Sequence, residues 1–377
     1  MLKKCAILTF VLVLSAVFCI PVQAEAVRDF LAEYSYFDVD FRRGMAADIQ
    51  ENYECISSGA SFVYDGILGT KVIEFDGDGV LEWSPISGES LVGFALNPGL
   101  TVETLVYIST DPDVVKNNMI IFETCDDAIH FAEYNDGYQQ RSEFTCGDRH
   151  PCGLFKETDA YVSQVFPRME WIHIVGSSDS STTKLFINGE MVNGIGRNTG
   201  TVNSLYDTGD NRIYIGGSAY GDSCFSGRIA YVKMYKTAVN NAMPKRMYKA
   251  ILAEIPADTV EFDSGTKVQG YTQSVAELYD VEVYENGTLA TGDKALCTGM
   301  IIKLTDKETS ETTVYSVAVS GDVTGDGSVS SIDYLKVKRC MTSGIDFEGA
   351  FFKAADMNGD NLIKSVDYMR IKRTFQN

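Results

Sequence analysis

Between residues 25 and 255 the apolar positions recur in short runs, alternating or clustered over strand-like lengths, and glycine, asparagine or aspartate ends each run. The pattern is clearest in "KVIEFDGDGVLEW" (71–83), "GLTVETLVYIST" (99–110), "EWIHIVGSSDSSTTKLFINGEMV" (170–192) and "NRIYIGGSAYGDSCFSGRIAYVKMYKTAV" (211–239). Alternation of period two puts one face of a strand into a core, and Asn188-Gly189 between "LFI" and "EMV" is a two-residue hairpin turn. Many short strands without intervening helices predict a sandwich or barrel over residues 25–257. From 258 to 319 the alternation continues, with a turn at Asn286-Gly287 and one short helical run at "SVAELYD" (274–280). This predicts a small α+β domain, stiffer than a Pro/Ser linker and suited to spacing.

At residue 320 the pattern changes. Shifted by 34 residues, the chain repeats itself: Asp322 falls on Asp356, Gly325 on Gly359, Asp326 on Asp360, Ser331 on Ser365, Asp333 on Asp367 and Tyr334 on Tyr368. Such self-similarity marks an internal duplication. Each copy then turns helical, with apolar residues at Tyr334, Val337 and Met341 and at Tyr368, Ile371 and Phe375. Ahead of each helix, oxygen-bearing side chains occupy positions one, three, five and twelve of a loop: Asp322, Thr324, Asp326 and Asp333, then Asp356, Asn358, Asp360 and Asp367. Calcium takes about six to eight oxygens, and this spacing wraps a loop around one ion, with the backbone carbonyls of Ser328 and Leu362 at position seven. Gly327 permits the sharp turn of the first loop, and Asn361 stands there in the second, asparagine entering positive φ more readily than other residues with a side chain.

Charge agrees with this chemistry. With 52 acidic and 32 basic side chains the net charge is −20, which leaves nothing to neutralise a phosphate backbone and argues against a nucleic-acid partner. The start of the chain reads Lys3-Lys4, an apolar run from Ala6 to Ile20, then Val22-Gln23-Ala24 before Glu25. A charged stretch, an apolar segment too short to span a bilayer and a small-x-small site predict a secretory leader over residues 1–24. No later segment is long and apolar enough to be a membrane span. Seven cysteines follow the leader; an odd number leaves at least one outside any intrachain pairing, and Cys146 with Cys152 is the nearest local pair.

The doubled loop-plus-helix, covering residues 320–377, resembles a type I dockerin. The resemblance implies two calcium ions, a cohesin partner on a scaffold protein, and an extracellular, scaffold- or cell-surface-associated life. It also implies two near-equivalent cohesin-binding faces, formed by Ser331, Ile332, Leu335, Lys338 and Arg339 and by Ser365, Val366, Met369, Lys372 and Arg373. Thr324 stands where asparagine is more usual and offers a weaker neutral ligand. The four strand-rich segments, taken in order, resemble a laminin-G-like, concanavalin A-like jelly roll. That sandwich hosts sugar binders, protein binders and glycosidases alike, so polysaccharide or glycan binding, glycoside hydrolysis and protein adhesion all stay open for it.

Two sets of residues distinguish those functions. Glu74 and Asp76 alternate along one strand as a pair of carboxylates could for hydrolysis, although Asp76-Gly77-Asp78-Gly79 also reads as a plain turn after a core Phe75. Tyr138, Gln139, Arg141, Tyr220 and Asp222, in "DGYQQRSEF" and "SAYGDSCF", offer aromatic faces and hydrogen-bonding groups to a sugar. His173, alternating with Trp171 on an apolar strand, reads as a core residue. A further calcium in the sandwich has no assigned ligands.

Overall fold

The computed structural model describes residues 30–57, 59–86, 99–109, 119–124, 129–135, 140–146, 160–162, 165–179, 181–196, 211–219, 223–343 and 347–376. The expected leader over residues 1–24, Cys152 and the side chain of Cys146 lie outside these residues, and with them the expected local bridge.

In chain order the first strands are β1 (Ser35–Asp40), β2 (Tyr53–Cys55), β3 (Ser61–Asp65), β4 (Thr70–Asp76), β5 (Leu81–Pro85), β6 (Leu100–Ile108), β7 (Met119–Thr124) and β8 (Ile129–Asn135). They continue with β9 (Gln140–Cys146), β10 (Ala160–Val162), β11 (Trp171–Ser178), β12 (Thr182–Ile187), β13 (Glu190–Gly196), β14 (Ile213–Ile215) and β15 (Ser226–Tyr235). One antiparallel sheet has the order β13-β12-β11-β6-β15-β4-β3, with β1 also paired to β15; the other runs β10-β9-β8-β7-β14-β5-β2. The chain therefore crosses repeatedly between sheets, as a jelly roll does. Phe37, Trp83, Phe131, Phe144, Ile174 and Phe225 fill the space between them. At the β12–β13 turn, Asn188 (φ 50°) and Gly189 (φ 80°) take the two positive φ values that a tight hairpin requires.

The middle strands of the first sheet are buried on both faces. Helix α1 (Met243–Leu252) lies over the outer face, started by Pro244 and facing inward through Met247, Ala250 and Ile251. Beneath it His173 is fully buried, as expected of a core residue. Its Nε2 lies 3.0 Å from Glu103 Oε1, and its ring stacks under Tyr248.

Next come β16 (Asp258–Phe262), α2 (Val268–Val275), β17 (Tyr279–Glu285), β18 (Thr288–Leu289), β19 (Ile301–Asp306) and β20 (Thr312–Val319). Their sheet has the order β16-β20-β19-β17-β18, with β16 parallel to β20. The helix begins earlier than "SVAELYD" suggested and ends where that run begins. Val268, Tyr271 and Val275 form the apolar stripe; Val268 is buried and Tyr271 meets Phe262 edge-on at 5.0 Å, whereas Leu278 stands exposed.

The chain ends in α3 (Ser331–Ser343), α4 (Gly349–Ala355) and α5 (Ser365–Gln376). The duplicated helices α3 and α5 pack through Val337 and Ile371, both fully buried, and through stacked Tyr334 and Tyr368 rings 4.2 Å apart. The short helix α4 has no counterpart in the sequence pattern; Ala350, Ala354 and Ala355 bury it against the same core. Among the described residues no helix is long and apolar enough to cross a membrane.

Candidate functional site

The two acidic loops lead directly into α3 and α5, and the carboxylate at position twelve serves both loop and helix. Asp333 Oδ2 accepts from the amide (2.9 Å) and hydroxyl (3.1 Å) of Ser330, while its Oδ1 accepts from the Thr324 amide and hydroxyl at 2.9 and 2.8 Å. Asp367 repeats this with the amides of Lys364 (3.0 Å) and Asn358 (3.1 Å). An acidic side chain reaching back from the first helical turn to the capping residue is a capping-box arrangement, so closing the loop and starting the helix are one event.

Asp322 Oδ1 accepts from Gly325 at 2.8 Å and lies 3.4 Å from the Thr324 hydroxyl that Asp333 also holds. Two fully buried carboxylates therefore meet on a single hydroxyl. Burial pushes the Asp322 carboxyl above its ordinary range despite amide donors from Thr298, Gly327 and Gly325, and the charge of Asp333 pushes it further. Asp326 turns toward position seven, accepting from the Ser328 amide at 2.8 Å. In the second loop Asp356 accepts from Gly359, Asp360 and Asn361, Asn358 Oδ1 from Asp360, and Asp360 Oδ1 from Leu362.

Apart from the Thr298 amide on Asp322, these carboxylates face the loops' own amides, and among the described residues no three acidic, histidine or cysteine side chains are gathered as a metal ion would hold them. The donor set nevertheless fits a hard dication. It is all oxygen, clustered and partly buried, and the nearby cation Lys336, on which both Asp322 and Asp333 act, is engaged through its Nζ by the Val323 carbonyl at 2.6 Å.

On the helices, Ser331, Ile332, Leu335, Lys338 and Arg339 of α3 are exposed, as are Ser365, Val366, Met369 and Arg373 of α5. Ile332 at 61% and Leu335 at 49% are matched by Val366 at 48% and Met369 at 41%, two equivalent apolar pairs standing in water. Lys372 is half-buried, its Nζ over the Tyr334 ring.

In the sandwich, Glu74 is an ion-pair partner. Arg228 lies opposite it in register and donates from Nε at 2.9 Å, while Arg228 Nη1 reaches Asp65 Oδ2 at 3.0 Å and Glu348 Oε2 at 3.4 Å. Asp76 accepts from the Asp78 amide at 3.2 Å and so closes the turn that follows it. Of the proposed sugar contacts, Tyr138, Gln139, Tyr220 and Asp222 lie outside the described residues. Arg141 is described, and it leads to a cluster that the sequence reading missed.

That cluster comprises Glu123, His130 and Glu143 on the outer face of the second sheet. Glu123 and His130 are register partners on β7 and β8. His130 Nε2 lies 3.1 Å from Glu143 Oε1, and the Arg141 Nε lies 2.9 Å from Glu143 Oε2. All three cluster members are buried. The available signal was an ionisable residue set among apolar ones in "MIIFET" and "IHFAEYN", facing Glu143 of "QRSEFTC".

Comparison with known families matches residues 320–376 to the type I dockerin domain and residues 86–243 to the concanavalin A-like lectin/glucanases superfamily. A type I dockerin implies calcium binding and a cohesin partner. No curated protein matches the chain. Among solved structures, domain 4 of AbnA, an extracellular GH43 arabinanase from Geobacillus stearothermophilus solved with arabinotriose, is similar at TM-score 0.40 and 15% identity, over 57% of this chain and 98% of that one. The binding domain of Paraclostridial Mosquitocidal Protein 1 is similar at TM-score 0.43 and 13% identity, over 58% of this chain and 52% of that one. A sialidase of Trypanosoma rangeli gives TM-score 0.40 at 11% identity, covering 61% of this chain and 38% of its own.

Proposed function

From a chain that ends in a type I dockerin domain, we propose a secreted component of a cellulosome-like complex, anchored to cohesin through its C-terminal helices and carrying a carbohydrate-binding sandwich. The observation that carries the reading is the duplicated loop-and-helix, in which buried acidic side chains start two helices that expose matching apolar pairs. One calcium ion per loop would be held by Asp322, Thr324, Asp326, Asp333 and the Ser328 carbonyl, and by Asp356, Asn358, Asp360, Asp367 and the Leu362 carbonyl. When bound, the ion supplies the positive charge that lets these carboxylates lie together. The residues themselves do the rest: Asp333 and Asp367 couple loop closure to the first turns of α3 and α5, so binding free energy becomes folding free energy.

For the sandwich, Arg141, exposed beside the buried Glu143–His130–Glu123 row, offers a hydrogen-bonding group to a glycan on that sheet face. The same row supports a second reading, glycoside hydrolysis, because two carboxylates, on β7 and β9, flank an imidazole on the intervening β8.

The test uses the full chain. Retention on immobilised cohesin in calcium, lost with chelator and lost in the Asp322→Ala, Asp356→Ala double variant, is the expected result. Retention indifferent to chelator would overturn the anchoring. An array of plant and host polysaccharides, scored for both retention and released reducing ends, separates the two readings of the sandwich. Retention alone supports binding, release that disappears in Glu143→Gln supports hydrolysis, and neither would redirect the search to protein ligands.

A further inference from the structure

The duplicated loops are alike in sequence and unlike in surroundings. Asp322 is fully buried, whereas its counterpart Asp356 is only half-buried. The difference comes from outside the duplicated module. The backbone amide of Thr298, in the spacer segment before β19, donates to Asp322 Oδ2 at 3.0 Å. The amides bonded to Asp356 all come from its own loop: Gly359, Asp360 and Asn361.

Thr298 is itself firmly held. Its hydroxyl accepts from the Val319 amide at 2.9 Å and donates to the Val319 carbonyl at 3.3 Å, and the next residue, Gly299, donates to Val317 at 2.9 Å. The donor to Asp322 is thus clamped to the end of β20, three residues upstream of the aspartate it contacts. Packing follows the same asymmetry. A Cβ added to Gly325 would lie 2.8 Å from the Thr298 carbonyl and 3.1 Å from the Phe351 ring, whereas one added to Gly359 would meet nothing within 4 Å. The first loop is built against the spacer; the second stands in solvent.

We propose that Thr298 is a positioning residue for calcium in the first loop, so that spacer and docking helices form one calcium-coupled unit. The proposal rests on the calcium reading above. A fixed amide on one oxygen of Asp322 holds the carboxylate in place before the ion arrives, lowering the ordering cost of binding, and it offsets the neutral ligand Thr324. The second loop has asparagine at the corresponding position and no such support. Because the same amide belongs to the spacer, filling the first loop also stiffens the joint between the spacer and the helices that meet cohesin.

The experiment isolates each loop within the full chain, using Asp356→Ala to leave only the first and Asp322→Ala to leave only the second. Calcium titration calorimetry is then repeated with Thr298→Val, which removes the hydroxyl clamp while conserving shape. The first loop weakens about fivefold, the equivalent of roughly one net hydrogen bond; the second is unchanged; and Thr298→Ser restores the first. Hydrogen exchange gives an independent readout, as calcium slows the amides of residues 297–299 in the first-loop-only chain and leaves them alone in the second-loop-only chain. Equal weakening of both loops, or of neither, overturns the coupling. Absence of calcium binding by the unmutated chain would instead overturn the reading on which it rests.

Discussion

A carboxylate can stay ionised in a protein interior only when other donors replace its lost water. Glu103 is buried, and it accepts from His173 (3.0 Å), Tyr231 (2.9 Å) and Tyr235 (2.8 Å). Burial alone would raise its pKa; the hydrogen bond and charge of His173, with Lys233 and Tyr235, outweigh burial and hold it down to about 2. A group depressed on folding stabilises the fold above its unfolded pKa, near 4.5, and that contribution fades as pH falls toward about 2. The stake is on the order of 3 kcal/mol. Thermal unfolding of the full chain should therefore show Glu103→Gln destabilised at pH 7, with the gap to the parent closing between pH 4.5 and 2. A gap independent of pH would mean that shape, rather than charge, makes Glu103 useful. At the same scale, Glu74 shows how a residue that looks reactive in sequence is accounted for by its neighbour: Arg228, opposite it in register, takes the carboxylate.

Among the elements, α3 and α5 are small helices paired through few buried side chains, chiefly Val337, Ile371 and the stacked Tyr334 and Tyr368 rings. Ile371 is fully buried there, and Ile371→Ala should cost about 2–5 kcal/mol, enough to melt a module of this size. Val366→Ala on the exposed side should cost almost nothing in stability. Helical circular dichroism in saturating calcium distinguishes the two; an equal loss in both variants would mean that the helices are not paired as described. Elements also show where local pattern sufficed. The Asn-Gly turns and the helices after each acidic loop follow from chemistry confined to a few neighbouring residues. Helix α2 was misplaced because "SVAELYD" has helical spacing but no core to face, whereas Val268 and Tyr271 meet Phe262 and the spacer sheet.

For the whole molecule, the proposed docking through two equivalent faces predicts redundancy. Replacing Ile332 and Leu335 with aspartate should leave cohesin binding nearly intact through the second face, as should the same change at Val366 and Met369. All four together should reduce binding by at least about a hundredfold, on the scale of losing two buried anchors. Surface plasmon resonance on immobilised cohesin reads this, and loss from either pair alone would show that a single face is used. The modules are also tied beyond sequence neighbourhood. Arg228 of the sandwich reaches Glu348 ahead of α4, Tyr64 meets Phe351 of α4 edge-on at 4.5 Å, and Lys353 of α4 pairs with Asp258 of β16, so the short helix α4 sits against both the sandwich and the middle sheet.

The sequence by itself determined whatever a short stretch can encode: strand alternation, hairpin turns, the liganding pattern of a loop and its repetition. Each depends on residues within about a dozen positions of one another, where backbone geometry fixes relative placement. Only the tertiary structure decided which distant groups meet. Glu123, His130 and Glu143 are brought together by the pairing of β7, β8 and β9; Asp322 is sealed by Thr298; Glu103 collects donors from β11 and β15. Those meetings depend on strand register and on sheet and helix packing, which are settled by how the whole core buries its apolar surface, and no local spacing records that outcome.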